Sequence, residues 1–141
     1  MSTSPDMVTS AIELRLIVVD GPDRAVHADL TYSLSDPYAV QVAFHTGGPE
    51  VVEWTFARSL LTDGVTHPVG DGDVQVWPAS NAGQPTVCLS LSSPAGRALF
   101  EASLNGVVEF LTETYAVVPT GCESEFVDVD VELASLFNSD L

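Results

Sequence analysis

No lysine occurs anywhere in this chain. Its cations are confined to Arg15, Arg24, Arg58 and Arg97, set against twenty aspartates and glutamates, so the 141 residues carry a formal net charge of −16. A specific nucleic-acid binder neutralises phosphates through roughly 6–10 Lys and Arg contacts, more than four arginines can supply. An anionic membrane surface repels such a chain for the same reason. What remains is an acidic protein kept dispersed by self-repulsion, meeting neutral or complementary partners.

Long apolar runs are also missing. None approaches the ~20 residues of a membrane span, so no direct membrane insertion is expected. Cysteine is scarce: Cys88 and Cys122 lie far apart and form no CxxC pair, which argues against structural zinc. The stretch from Met1 to Met7 is polar, without the basic and apolar regions of a secretory signal, so both thiols are expected to be reduced in the cytoplasm.

Catalytic patterns are absent as well. His27, His45 and His67 fall in or beside different strands, without HxH or HExxH spacing, and read as surface or edge histidines rather than metal ligands. The nucleophile-elbow pattern GxSxG does not occur. Thr46-Gly47-Gly48-Pro49 lacks the lysine of a phosphate loop, and Gly70-Asp71-Gly72-Asp73 offers carboxylates where phosphate needs donors. That acidic turn lacks the twelve-residue calcium pattern and reads as a hairpin turn. Among twenty acids no acid–base pair can be singled out. No catalytic residue, cofactor or metal is therefore assigned.

What is present is a core. Apolar residues make up 45% of the chain and charged residues 17%, a balance that folds without staples as one domain. Residues 1–10 read as a flexible leader and 11–141 as the domain. Ile12, Leu14, Leu16 and Val18 alternate with Glu13 and Arg15, which predicts a strand with one face inward. Further strands follow at Val26–Tyr32, Ala39–His45 and Val51–Phe56, joined by turn-forming clusters as in an antiparallel meander. Ala57–Asp63 predicts one or two helical turns.

A second set of strands is expected at Val65–Val69, Asp73–Trp77 and Thr86–Leu91. Asp71-Gly72 forms a tight turn between the first two, and Ala79–Pro85 a polar tip between the last two. Then the period changes. Ser93-Pro94 suits a helix start, and Phe100, Leu104, Val107, Val108, Leu111 and Tyr115 recur at spacings of three and four. This predicts a helix over Ala95–Tyr115, with Gly106 marking a break or a close contact, ended by Val118-Pro119-Thr120-Gly121. A short final helix after Asp130 carries Leu133, Leu136 and Phe137 on one stripe, either docked on its own domain or offered to a partner. The fold class is thus α+β: a strongly bent antiparallel sheet of six to seven strands with one long and one short C-terminal helix.

Trp54 shares the apolar phase of its strand and is expected in the core. Trp77 is out of phase with Val74 and Val76, so it belongs to the second sheet face, where an interface, a second core or a ligand platform would cover it.

Several segments, in order along nearly the whole chain, resemble the SsgA-like family of actinobacterial sporulation and cell-division regulators. They are Asp36-Pro37-Tyr38-Ala39-Val40, Val52-Glu53-Trp54-Thr55-Phe56-Ala57-Arg58 with Leu60-Leu61, Gly72-Asp73-Val74 with Val76-Trp77-Pro78, and Leu91-Ser92-Ser93-Pro94 with Gly96. Phe110-Leu111, Val118-Pro119 with Gly121, and Asp128-Val129-Asp130 before Glu132-Leu133 complete the set. The chain is most similar to the SsgB-like branch.

The resemblance implies a non-enzymatic regulator that recruits or positions the tubulin-like division protein FtsZ at septum sites. It further implies an SsgA-type relative as partner, a cytoplasmic location at the septum, and a homotrimer of whirly-like fold. The alternative it leaves open is a single-stranded nucleic-acid-binding domain of that fold, against which the charge argues. A closed trimer has heterologous contacts. Ile17, Val19 and Trp77, with Leu136 and Phe137 of the tail, are the candidate interface residues.

Overall fold

The computed structural model describes residues 7–45, 47–70 and 72–125. Seven strands are arranged in one antiparallel sheet: β1 (Met7–Leu16), β2 (Arg24–Ser33), β3 (Ala39–His45), β4 (Val51–Ala57), β5 (Val74–Asn81), β6 (Gln84–Ser93) and β7 (Gly96–Ser103). Helix α1 (Arg58–Gly64) follows β4, and α2 (Leu104–Val117) follows β7. The spatial order is β4-β3-β2-β1-β7-β6-β5. Two meanders therefore meet at the β1–β7 seam, which pairs only Leu14–Leu16 with Ala102–Phe100.

Alternation selects the inner face. Val26, Ala28, Leu30 and Tyr32 on β2, and Val40, Val42 and Phe44 on β3, are buried, while the residues between them are not. The sheet is strongly curled. Phe44 and Phe100 stack with ring centroids 4.5 Å apart although β3 and β7 are separated by three strand spacings, about 14 Å in a flat sheet. Helix α2 lays Val107, Phe110, Leu111 and Thr114 into this curl, the i, i+3, i+4, i+7 stripe of a one-sided helix.

Several expectations need correction. The leader does not extend to residue 10: Val8 is 1% exposed, and residues 7–10 pair with β2, because Val8 continues the inward phase of β1. The helix expected from Ala95 begins only at Leu104. Ser93-Pro94-Ala95-Gly96 instead closes the β6–β7 hairpin, with Ser93 paired to Gly96 and Gly96 at φ +145°. Proline suits the second position of a turn as well as the first turn of a helix. Phe100 lies four residues before Leu104 and so mimics helical spacing, yet it belongs to the period-two set Ala98, Phe100, Ala102.

The polar tip at 79–85 is also shorter than expected. β5 runs on to Asn81, and only Ala82 and Gly83 turn, at φ +54° and +81°, the backbone of a two-residue hairpin. Pro78 is accommodated because β5 is an edge strand. The strand expected at Val65–Val69 reduces to a single bridge, Val69 to Val76, since α1 turns extend to its start. Gly106 does not break α2, and a Cβ there would meet nothing within 4 Å, so no close contact requires glycine. The final helix after Asp130 lies outside the described residues.

Candidate interaction face and the Arg58 clamp

The outer face of the β1-β7-β6-β5 half is built by register. Trp77 pairs with Cys88, Cys88 with Glu101, and Glu101 with Arg15, which gives one row across four strands. The adjacent row holds Gln75, Ser90 and Leu99, and Ile17 joins it by donating its N–H to the Leu99 carbonyl at 2.9 Å. Cys88 and Ser90 are buried, while Trp77, Leu99 and Ile17 are half-buried and take no part in the main core. Small side chains thus lie beneath a thin apolar cover that is itself partly wet.

Polar contacts stiffen this face. The Arg15 guanidinium pairs with the Glu101 carboxylate and lies 3.5 Å from Asp23. The Thr86 hydroxyl donates to Glu101 at 2.8 Å. Burial pushes the Cys88 thiol above its ordinary range, and the Glu101 charge adds to that, so the thiol is a packing group rather than a nucleophile.

Of the sequence candidates, the structure places Ile17 and Trp77 on this face. Val19 sits in the turn beyond β1 and is 96% exposed. Leu136 and Phe137 lie outside the described residues. Leu99 was hidden by the helix expected over its segment, although Ala98 and Phe100 on either side carry the alternation that assigns it outward. His27 and His45 are cross-strand partners, and His45 pairs with Asp29 at 2.9 Å. Among the described residues no three His, Cys, Asp or Glu side chains converge to hold a metal.

A second feature was not legible in the sequence. Arg58 is 1% exposed. Its guanidinium donates to the Val118 carbonyl at 2.9 Å, an acceptor beyond the helix end, and at 3.2 Å to the Thr114 carbonyl, which also accepts the Val118 N–H. It pairs with Glu123 at 2.7 Å and lies between the rings of Tyr115 and Tyr32, 3.8 and 4.8 Å from their centroids. The hydrogen bond from Arg58 holds the Glu123 carboxyl below its usual range. Burial drives the Tyr32 hydroxyl up to about 12, against the opposing Arg58 charge. That hydroxyl donates to the Pro37 carbonyl at 2.9 Å. The clamp ties α1, α2 and β2 together.

These features define a class: an acidic α+β protein whose curled antiparallel sheet is filled by one helix and presents a stiff outer face. A family model described as Streptomyces sporulation and cell division protein SsgA matches residues 26–123. The chain belongs to this family. It is 54% identical over 136 residues to the sporulation-specific cell division protein SsgB of Frankia casuarinae, covering 96% of this chain and 95% of that protein. It is 47% identical over 129 residues to SsgB of Streptomyces coelicolor, covering 92% and 94%. The solved structure of an SsgA-like sporulation-specific cell division protein from Thermobifida fusca matches with a TM-score of 0.87 at 45% identity, covering 96% of this chain and 98% of that one. No helix among the described residues is long and apolar enough to cross a membrane.

Proposed function

We propose that the chain is a non-enzymatic sporulation-specific division adaptor, which positions FtsZ at septum sites through protein–protein contacts. The partly wet apolar cover of Trp77, Leu99 and Ile17 over buried Cys88 and Ser90 carries this reading. It is a rigid surface of the kind a protein partner completes. The resemblance to SsgB-like regulators supplies FtsZ and an SsgA-type relative as partners and a homotrimer as the working state. In such a trimer this face is the subunit contact, with the exposed Val19 beside it.

No nucleic acid enters the reading. Of the four arginines, Arg58 is enclosed and Arg15 is engaged by Glu101 and Asp23, which leaves little cationic surface for phosphates. The protein acts in the cytoplasm at the division septum.

Co-sedimentation with FtsZ polymers at low salt tests the reading, with co-pelleting as the expected result. Failure to pellet there removes direct recruitment. Light scattering at micromolar concentration gives three times the chain mass for the trimer, and a single chain mass rejects it.

A further inference from the structure

The sheet has two edges, and they are finished differently. β5, at one end of the strand order, carries Pro78, and Val69 covers it by exchanging backbone hydrogen bonds with Val76 at 2.9 and 3.0 Å. Helix α1 packs on the same strand, where Gly64 meets Val76. β4, at the other end, has none of these devices. Val51-Val52-Glu53-Trp54-Thr55-Phe56-Ala57 holds no proline or lysine, its pairing with β3 is unbroken by a bulge, and among the described residues no strand lies on its outer side. Val51 and Val52, which alternate between the two faces, are 44% and 46% exposed. An edge of valine, tryptophan and threonine left open in this way is a template for one more strand.

The inner side of that edge is shaped to receive side chains. Phe56 is 7% exposed, but Val52, on the same face four residues earlier, borders an apolar groove of about 320 Å³ lined also by Leu16, Phe44, Trp54, Leu91 and Phe100. Arg97 stands exposed at the groove's lip. Its Nε donates to the Ser92 hydroxyl at 3.3 Å, and among the described residues no carboxylate lies within ion-pair distance of it. In a chain of twenty acids and four arginines, this is an unmatched cation beside an apolar surface. On the other face of β4, Glu53 is exposed and takes a hydrogen bond from Gln41 at 3.3 Å.

We infer that β4 is the docking edge for an extended segment of a partner protein, which adds to the sheet as a further strand. The inference rests on the reading of the chain as a protein-binding adaptor, and it names the surface and the class of ligand. A segment added in this way takes its affinity from main-chain hydrogen bonds and its selectivity from alternate side chains. Those that point inward are apolar and enter the groove beside Val52 and Trp54. Those that point outward are basic, since Glu53 lies across from them. One carboxylate reaches Arg97. A segment of this composition is not net acidic, so the chain's charge of −16 draws it in rather than repelling it. The site uses neither Trp77, Leu99 nor Ile17, so it does not compete with the outer-face contact for those residues.

The probe is a set of capped seven-residue peptides, the length of β4, with valine, leucine or phenylalanine at alternate positions, lysine or threonine between them and one aspartate at either end. With peptide in excess over the full-length chain, the solvent-facing amides of Val51–Ala57 are expected to exchange about ten-fold more slowly in nuclear magnetic resonance, while those of β5 do not change. Val52→Lys, at an exposed position, removes this protection by setting a charge at the edge. Asparagine in place of the peptide's aspartate weakens binding about three-fold, and in Arg97→Glu that difference disappears. No slowing of β4 exchange with any peptide overturns the inference, as does slowing that persists in Val52→Lys. Protection of β4 that grows with protein concentration in the absence of peptide overturns it too, and assigns the edge to a second copy. Equal binding of the aspartate and asparagine peptides removes Arg97 from the site. Co-pelleting with FtsZ that survives in Val52→Lys removes this site and keeps the adaptor, whereas peptide protection without co-pelleting keeps the site and removes FtsZ as its partner.

Discussion

Arg58 stacks on Tyr115 with its guanidinium carbon 3.8 Å from the ring centroid, and both residues are tied to a helix end by hydrogen bonds. The Tyr115 hydroxyl lies 2.6 Å from that of Thr62, one turn along α1 from Arg58. A charge enclosed this way is stable only while its acceptors remain in place. Arg58→Ala removes the donor to the Val118 carbonyl and to Glu123 Oε2, leaves the Thr114 carbonyl with the Val118 N–H alone, and is expected to cost about 3–5 kcal/mol in urea unfolding. Arg58→Lys keeps the charge but not the planar fork, and recovers less than half of the loss.

Burial of Tyr32 sets an alkaline limit on stability. Tyr32 has its folded value raised, from 10 to about 12. A raised group contributes its stability fully below the unfolded value and loses it as pH climbs through the folded one. The unfolding free energy from urea titration is therefore expected to fall between pH 10 and pH 12, by roughly 3 kcal/mol in total for a shift of this size. Tyr32→Phe starts less stable, lacking the bond to Pro37, and shows a shallower alkaline fall.

Glu123 acts at the other end of the scale. Its folded value is lowered, so its contribution is present above the ordinary value of 4.5 and disappears as pH falls through the lower folded one. Glu123→Gln is expected to be less stable than the parent at neutral pH and to converge with it in acid, read as the difference in urea midpoint.

Gly64 is required by packing rather than by backbone conformation. A Cβ there would stand 2.3 Å from Val76 Cγ1 and 2.5 Å from Val76 Cβ, on a buried residue of β5. Gly64→Ala forces α1 away from β5 and is expected to cost about 1–3 kcal/mol, as overpacking does. Val76→Ala keeps the Cβ that clashes and empties part of the core, so Gly64→Ala with Val76→Ala is expected to remain less stable than the parent in thermal unfolding.

The outer face is tested by charge. Trp77→Glu places a carboxylate in the row of Cys88 and Glu101. It is expected to convert the proposed trimer to single chains in light scattering while leaving the far-ultraviolet circular dichroism unchanged. Retention of the assembled mass in Trp77→Glu and Leu99→Glu alike would place the subunit contact elsewhere.

The strands of the first meander were readable because each repeats an apolar residue every second position, and β2 and β3 bury those positions in the structure. The boundary between β7 and α2 was not. Phe100 satisfies both periods, and the choice depends on Leu89 and Leu16, its partners across β6 and β1. A Ser-Pro pair begins a helix or turns a hairpin with equal local comfort, and only pairing of Ser93 with Gly96 distinguishes them.

The same division runs through the molecule. Composition and alternation sufficed for the acidity and the strand-rich core, and the ordered motif segments for the family resemblance, because charge, side-chain phase and local motifs belong to residues taken singly or with near neighbours. The curl that brings Phe44 onto Phe100, the enclosure of Arg58 between α2 and two tyrosines, and the row joining Arg15 to Trp77 belong to tertiary structure. Each depends on groups remote in sequence, and their energies arise only once folding has brought those groups together and excluded water from between them.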